Sequence, residues 1–180
     1  MSQTDAAMGG KVWKYGDDVN TDVIFPGKYT YSLPPSEFAK HALEDLDPSF
    51  ATGVHAGDYV VAGKNFGCGS SREQAAVCIK LCGVTAIVAK SFARIFFRNC
   101  INNGVLPVTC PEAVDAIQSG DRISVDTQAL VVRVNGRDFP FPPLSQSVAD
   151  IIAAGGLIPM LRRKLGTEHL PMPETKFAGE

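Results

Sequence analysis

Two short apolar runs, Asp58-Tyr-Val-Val-Ala62 and Val84-Thr-Ala-Ile-Val-Ala89, bracket a stretch in which Ala75, Ala76, Ile79 and Cys82 recur at helical spacing. The first run is apolar after Asp58 and the second is β-branched and almost uncharged, so each reads as a strand and the stretch between them as a helix. A continuous apolar strand such as Val84–Ala89 is expected where a sheet is covered on both faces. Strand, helix and strand make a βαβ unit, which commits the chain to an α/β fold.

The flanking sequence extends this unit. Lys11–Tyr15 alternates as a first strand; Val23–Phe25 is a short run ended by Pro26-Gly27; and Ser36–Leu43 reads as a short helix capped by Ser36. The central helix is expected to run from Ser71 to Gly83, a good residue to follow a helix end. Ser91 is placed as cap of a second helix, Phe92 to Asn102, followed by a strand over Val105–Thr109 and a helix opening on Pro111. Arg122–Val125 and Ala129–Val134 read as strands, with a hairpin signal at Asn135-Gly136. Phe139–Pro143 is held extended by its prolines. Ser147–Leu165 looks helical, interrupted at Gly155-Gly156 and Pro159. The sheet is therefore expected to be mixed, with a leader over residues 1–10, one domain over 11–165 and a loose tail over 166–180.

At 180 residues and 45% hydrophobic, the chain suits one domain with a substantial core. A net charge of −2 without a basic stripe weighs against nucleic acid as a partner. No apolar run approaches the roughly 18 residues that span a bilayer. The N-terminus lacks the basic and apolar regions of a signal peptide, which points to the cytoplasm. Five cysteines are an odd number without paired zinc-site spacing, so reduced thiols are the simplest reading. Cys78 and Cys82 read as helix-core residues, and Cys68 as a small loop residue that a helix end and Arg72 would sensitise. His41 and His55 have no ligand partner at sensible spacing and read as surface or turn residues.

The chemistry concentrates in the strand-to-helix loop, Asn65-Phe-Gly-Cys-Gly-Ser-Ser-Arg-Glu-Gln-Ala-Ala76. Gly67 and Gly69 let the backbone turn sharply and approach a ligand. Ser70 and Glu73 fit a capping box at the helix start. A helix N-terminus attracts an anion, and Arg72 adds a planar fork suited to a carboxylate or phosphate. Against this stands the bland reading of glycine punctuation before a solvated first turn.

Three stretches together are more specific than any glycine-rich loop: Tyr15–Tyr29 with its Asn-Thr-Asp-Val-Ile-Phe-Pro core, Gly63–Ala75, and Ala89-Lys-Ser-Phe-Ala-Arg-Ile through Asn103-Gly104. In order and spacing, over roughly residues 11 to 165, they resemble the small subunit of the isopropylmalate dehydratase family, which is similar to the swivel domain of aconitase. The resemblance implies a swivelling β/β/α three-layer domain with a mixed sheet. It also implies a hydro-lyase subunit of leucine biosynthesis, active only with a large subunit that carries a [4Fe–4S] cluster. No metal is implied on this chain, and homo-oligomers of the isolated chain stay open.

Carried residue by residue, the resemblance makes Ser70 the general base, Ser71 a hydrogen-bonding partner of the substrate, and Arg72 the fork that pairs with its carboxylate. Thr21, Asp22 and Gly69 belong to the substrate site, and Lys28, Tyr29, Thr30 and Tyr31 line the part that selects the substrate. Capping competes with catalysis, so one of Ser70 and Ser71 would cap while the other reacts. Relatives often carry a Tyr-Leu pair in the selecting loop, sometimes followed by arginine; Tyr29-Thr30-Tyr31 departs from that pattern. With no arginine there to meet an extra carboxylate, and with Thr30, Tyr31 and Leu33 suited to a branched alkyl group, isopropylmalate is expected first, with citramalate, dimethylmalate and homocitrate behind it. A non-catalytic anion-binding module is the rival class, although the chain lacks the Gly-Lys-Ser/Thr ending of a P-loop. An inactive regulatory relative is the least favoured, since both serines and the arginine are present.

Overall fold

The computed structural model describes residues 9–171. The expected leader up to residue 8 and the expected tail from residue 172 lie outside the described residues. Seven strands form one sheet: β1 (Gly10–Lys14), β2 (Tyr59–Ala62), β3 (Ala86–Ala89), β4 (Leu106–Thr109), β5 (Arg122–Asp126), β6 (Val131–Val134) and β7 (Arg137–Pro140). Their order is β4-β3-β2-β1-β5-β6-β7. β1 to β4 are mutually parallel, whereas β5 to β7 are antiparallel to their neighbours, so the sheet is mixed as expected.

The helices are α1 (Thr21–Ile24), α2 (Phe50–Gly53), α3 (Glu73–Leu81), α4 (Arg94–Asn102), α5 (Pro111–Ala116), α6 (Gln146–Ala153) and α7 (Leu157–Leu165), with 3-10 turns at Gly27–Tyr29 and Pro35–His41. Because successive strand residues face opposite ways, the parallel strands feed two cores. Trp13, Val60, Ala62, Ile87 and Ala89 pack with Ile79 of α3 and Phe96 of α4. Val12, Val61, Ala86, Val88 and Val108 pack on the other face against Val114 of α5 and against Val132, Val134 and Phe139. The antiparallel strands thus curl back over the parallel half and supply a second β layer. All four residues of β2 and of β3 are buried, which explains their unbroken apolar composition.

The βαβ unit and the turn at Asn135-Gly136 form where expected. Several local expectations do not. Val23–Phe25 does not continue as an extended run; Thr21–Ile24 is a helical turn capped by Asn20, whose side chain accepts from the Asp22 and Val23 N–H groups. Asn20 is therefore the turn-forming side chain there. Ser36 is not a cap, because Pro34 and Pro35 open a 3-10 turn one residue earlier. Ser91 is not a cap either: its hydroxyl accepts from Asn65 N at 2.8 Å, and α4 begins later, after Ala93. Arg137–Pro140 pairs as β7 despite its proline, since it is the sheet's last strand and one of its sides faces no partner. Pro159 falls in the first turn of α7, where a missing N–H breaks no helical bond. Gly10 already belongs to β1, and Thr167 to Leu170 turn back onto Arg162, whose guanidinium reaches the Thr167 and Glu168 carbonyls at 3.1 Å. Among the described residues no helix is long and apolar enough to cross a membrane.

Candidate active site

The three parallel strands β1, β2 and β3 end on the same edge of the sheet, and the loops that leave them continue to pair. Asn20 bridges Cys68, and Phe66 bridges Phe92, so the loop after β2 runs between the loops after β1 and β3. Gly67 N donates to Val19 O and Thr21 N to Cys68 O, both at 2.8 Å. On the other side Phe66 N donates to Ser91 O at 3.0 Å and Ala93 N to Phe66 O at 2.9 Å. Open α/β sheets bind their ligands at such a carboxyl edge. The three sequence stretches singled out above meet here.

Close packing explains the glycine at position 67. Its φ is +77°, and a Cβ there would lie 2.0 Å from Cγ of Phe96, the residue by which α4 packs into the core. Beyond it, Thr21 Oγ1 donates to Ser70 O at 3.0 Å and Arg72 N donates to the same carbonyl at 2.8 Å. Thr21 is 1% exposed, so its hydroxyl supports the serine loop from beneath. Asn65, at φ +56°, donates from its side chain to Asp18 Oδ1 at 2.8 Å, and Cys68 Sγ donates to Asp18 O at 3.4 Å.

The expected capping box is absent. Helix α3 begins at Glu73 with Arg72 in the cap position and no side-chain cap. The Glu73 carboxylate accepts from Asn103 Nδ2 at 3.1 Å, a partner on the end of α4 that local spacing cannot anticipate. Gly69, Ser70 and Ser71 are exposed, and among the described residues neither serine hydroxyl has a hydrogen-bond partner. The competition between capping and reaction is thus resolved: neither serine caps.

Arg72 is held differently from the serines. Its Nη1 forms an ion pair with Asp22 Oδ1, with the arginine side chain 24% and the aspartate side chain 54% exposed. The guanidinium lies flat beneath Gly27, close enough that an added Cβ would meet it at 2.9 Å. One edge of the fork is thereby anchored to the loop after β1.

The selecting loop divides in two. Lys28 Nζ sits 3.2 Å from Glu44 Oε1 and 4.7 Å from the Tyr29 ring centroid. Tyr29 stacks on His41 with centroids 4.0 Å apart, and His41 Nδ1 lies 2.6 Å from Glu44 Oε2. His41 is therefore part of a half-buried cluster rather than a free surface residue. Burial would raise the Glu44 carboxyl, but hydrogen bonds from His41, Tyr29 and Lys28 outweigh it and hold the group below its ordinary value. The Glu44 side chain raises Lys28 above its own. Thr30 is 7% exposed with its Oγ1 unpartnered, whereas Tyr31 is 78% exposed.

Metal-ligating side chains do not converge. Among the described residues no three of the His, Cys, Asp and Glu groups gather into a metal-binding set. Cys78, Cys100 and Cys110 are buried in the cores, and burial raises all three thiols. Cys82 is pushed up to about 11 by the same cause.

The aconitase C-terminal domain model matches residues 33–113. The chain is 49% identical to the 3-isopropylmalate dehydratase small subunit of Caldicellulosiruptor bescii, over 87% of this chain and 95% of that one. It is 48% identical to small subunit 1 of Archaeoglobus fulgidus, over 83% and 93%. The crystal structure of a 3-isopropylmalate dehydratase from Methanocaldococcus jannaschii superposes with a TM-score of 0.82 at 41% identity, covering 91% of this chain and 99% of that chain. With close to half its residues shared over almost the full length of these relatives, and with the same fold, the chain belongs to the 3-isopropylmalate dehydratase small-subunit family.

Proposed function

We propose that this chain is the small subunit of a heteromeric dehydratase that interconverts 2-isopropylmalate and 3-isopropylmalate in leucine biosynthesis, working in the cytoplasm with a large subunit. The observation that carries the proposal is the pairing of two unpartnered hydroxyls, Ser70 and Ser71, with an arginine anchored by Asp22, all on the carboxyl edge of the parallel strands. Five free thiols accord with a reducing compartment.

Such a reaction removes a proton from the carbon beside a carboxylate, expels the hydroxyl from the neighbouring carbon, and returns water in the other sense. Ser70 Oγ, as an alkoxide, takes that proton. A free serine is too weak an acid for this, so the loop's N–H groups and the Arg72 charge stabilise the oxyanion. Arg72 receives a substrate carboxylate on the edge of its fork turned away from Asp22. Ser71 hydrogen-bonds the substrate. The cysteines of this chain do not fit an iron–sulfur cluster, and the [4Fe–4S] cluster that would polarise the departing hydroxyl belongs to the partner.

The selecting loop supports a branched alkyl group at the substrate's variable end. The Lys28 ammonium is paired with Glu44 at 3.2 Å, a partner that competes with the extra carboxylate of homocitrate for it. Citramalate and dimethylmalate carry smaller alkyl groups and rank behind isopropylmalate.

The test is reconstitution with the large subunit and turnover of the four substrates. Ser70→Ala is expected to lower kcat by about 10²–10³ while the complex still assembles. Arg72→Lys is expected to raise KM, since a point charge cannot reproduce a fork. Near-normal turnover by the serine variant would remove it as the base. A preference for homocitrate would overturn the substrate assignment, and anion binding without turnover in any reconstitution would favour the binding-module reading.

A further inference from the structure

The outer face of α4 stands beside the serine loop, and its composition works against the helix that carries it. Phe96, Cys100 and Ile101 point into the core, leaving Arg94, Ile95, Arg98 and Asn102 exposed. Arg94 is the first residue of α4, and no acidic residue occupies the first turn. A cation at the positive end of a helix dipole is unfavourable, and a like charge four residues on adds repulsion on the same face. Among the described residues neither arginine has an ion pair or a hydrogen-bonded acceptor. Elsewhere in the chain Lys28, Arg72, Lys90 and Arg133 each have a carboxylate partner. The nearby Glu73 carboxylate is bonded to Asn103 instead.

Beneath this face is a hollow of about 270 Å³ lined by Ser71, Ile95, Arg98, Asn99 and Asn102. Neither the Asn99 nor the Asn102 carboxamide has a partner among the described residues. Ile95 is 51% exposed at its rim. Ser71 belongs both to this hollow and to the serine loop, so the α4 face is continuous with the loop that carries Ser70.

We infer that the exposed face of α4 is the docking surface for the large subunit, and that Arg94 and Arg98 receive an acidic segment of it, with Ile95 and the two asparagine carboxamides completing the contact. The inference rests on the proposed function, which requires a partner to close over the serine loop. A small dicarboxylate would not use the whole face. Two guanidinium groups one helical turn apart and an apolar side chain between them match a protein surface, where desolvated arginine and apolar contacts carry most of the affinity. The unfavourable charges on α4 are then compensated only in the complex.

The experiment is association of the holo large subunit with the wild-type chain, with Arg94→Ala/Arg98→Ala and with Arg94→Glu/Arg98→Glu, followed by sedimentation or calorimetry across a salt series. Arg137→Glu on β7 controls for net charge. The alanine pair is expected to weaken association about 10- to 100-fold and the glutamate pair further, with a flatter salt dependence than wild type. At saturating large subunit, kcat and KM should stay within about 2-fold of wild type, and the free variants should melt no lower than wild type, since a repulsion has been removed. An unchanged Kd overturns the inference while leaving the proposed function standing. A raised KM at unchanged Kd overturns it in favour of a substrate subsite, and a lowered melting temperature overturns it in favour of a role in the fold. Failure of the wild-type chain to associate at all removes the proposed function and this inference with it.

Discussion

Gly27→Ala tests how the arginine fork is held. Gly27 opens a 3-10 turn and its φ is not positive, so alanine fits the backbone without strain. The added Cβ would lie 2.9 Å from Arg72 Nη1, 2.9 Å from Nη2 and 3.0 Å from Cζ, whereas ordinary contact begins at 3.4 Å. All three atoms are at the end of a flexible side chain, so the guanidinium moves and the backbone does not. The shift needed is about 0.5 Å, directed away from Gly27, and a misplacement near 1 Å can cost about 10²-fold in rate. Stability changes little: a half-exposed ion pair contributes about 0.2–1 kcal/mol, and replacing glycine by alanine at a compatible position returns about 0.4–1 kcal/mol. The variant should therefore melt within a few degrees of wild type while kcat/KM of the reconstituted enzyme falls about 10- to 100-fold. Gly16→Ala is the control, because nothing lies within 4 Å of a Cβ added there. Unaltered kcat/KM in Gly27→Ala would show that the fork's position under Gly27 is irrelevant to turnover. A large loss of stability would show that the backbone, not the guanidinium, absorbs the clash.

Three further outcomes follow from the cores and their polar supports. Asp58, 6% exposed, accepts from Lys11 N, Trp13 Nε1 and His55 N at 3.0–3.1 Å; Asp58→Ala orphans these donors and should cost about 2–4 kcal/mol, read in melting and in the emission of Trp13, while an unshifted melt would refute it. Alkylation of the native chain near neutral pH should label Cys68 first and leave Cys78 and Cys100 for denaturant, because burial raises both core thiols; equal labelling of all three would contradict this. Burial raises the Asp47 carboxyl, but hydrogen bonds from Ser49 and Tyr15 outweigh it and leave the group below its ordinary value. Its stabilisation is complete above the unfolded value of about 3.9 and is lost as pH falls through the folded value, so Asp47→Asn should flatten the acid limb of a melting-versus-pH curve; an identical limb would sink the assignment.

The sequence by itself determined the parallel half of the sheet. The apolar run Tyr59–Ala62, the β-branched run before Ala89 and helical spacing between them are local signals, and the helix and both strands formed there. The Asn135-Gly136 turn was legible for the same reason, since positive φ at both residues is a local demand. The order of the three site stretches along the chain also indicated the family, and the relatives bear that out.

Only the tertiary structure decided where hydroxyls and carboxylates go. Ser70, Ser91 and Glu73 each looked like capping residues from their neighbours in sequence. Ser91 instead accepts from Asn65, Glu73 from Asn103, and Ser70 is left unpartnered because Arg72 occupies the cap position. Capping propensity describes what a side chain does when the local backbone is its best available partner. At the carboxyl edge of this sheet three loops pair with one another, and partners distant in the chain outcompete local ones. The same convergence gives Arg72 its anchor in Asp22 and sets Ser71 against α4. No periodicity encodes these contacts, because they arise from the register of parallel strands that meet only once the chain has folded.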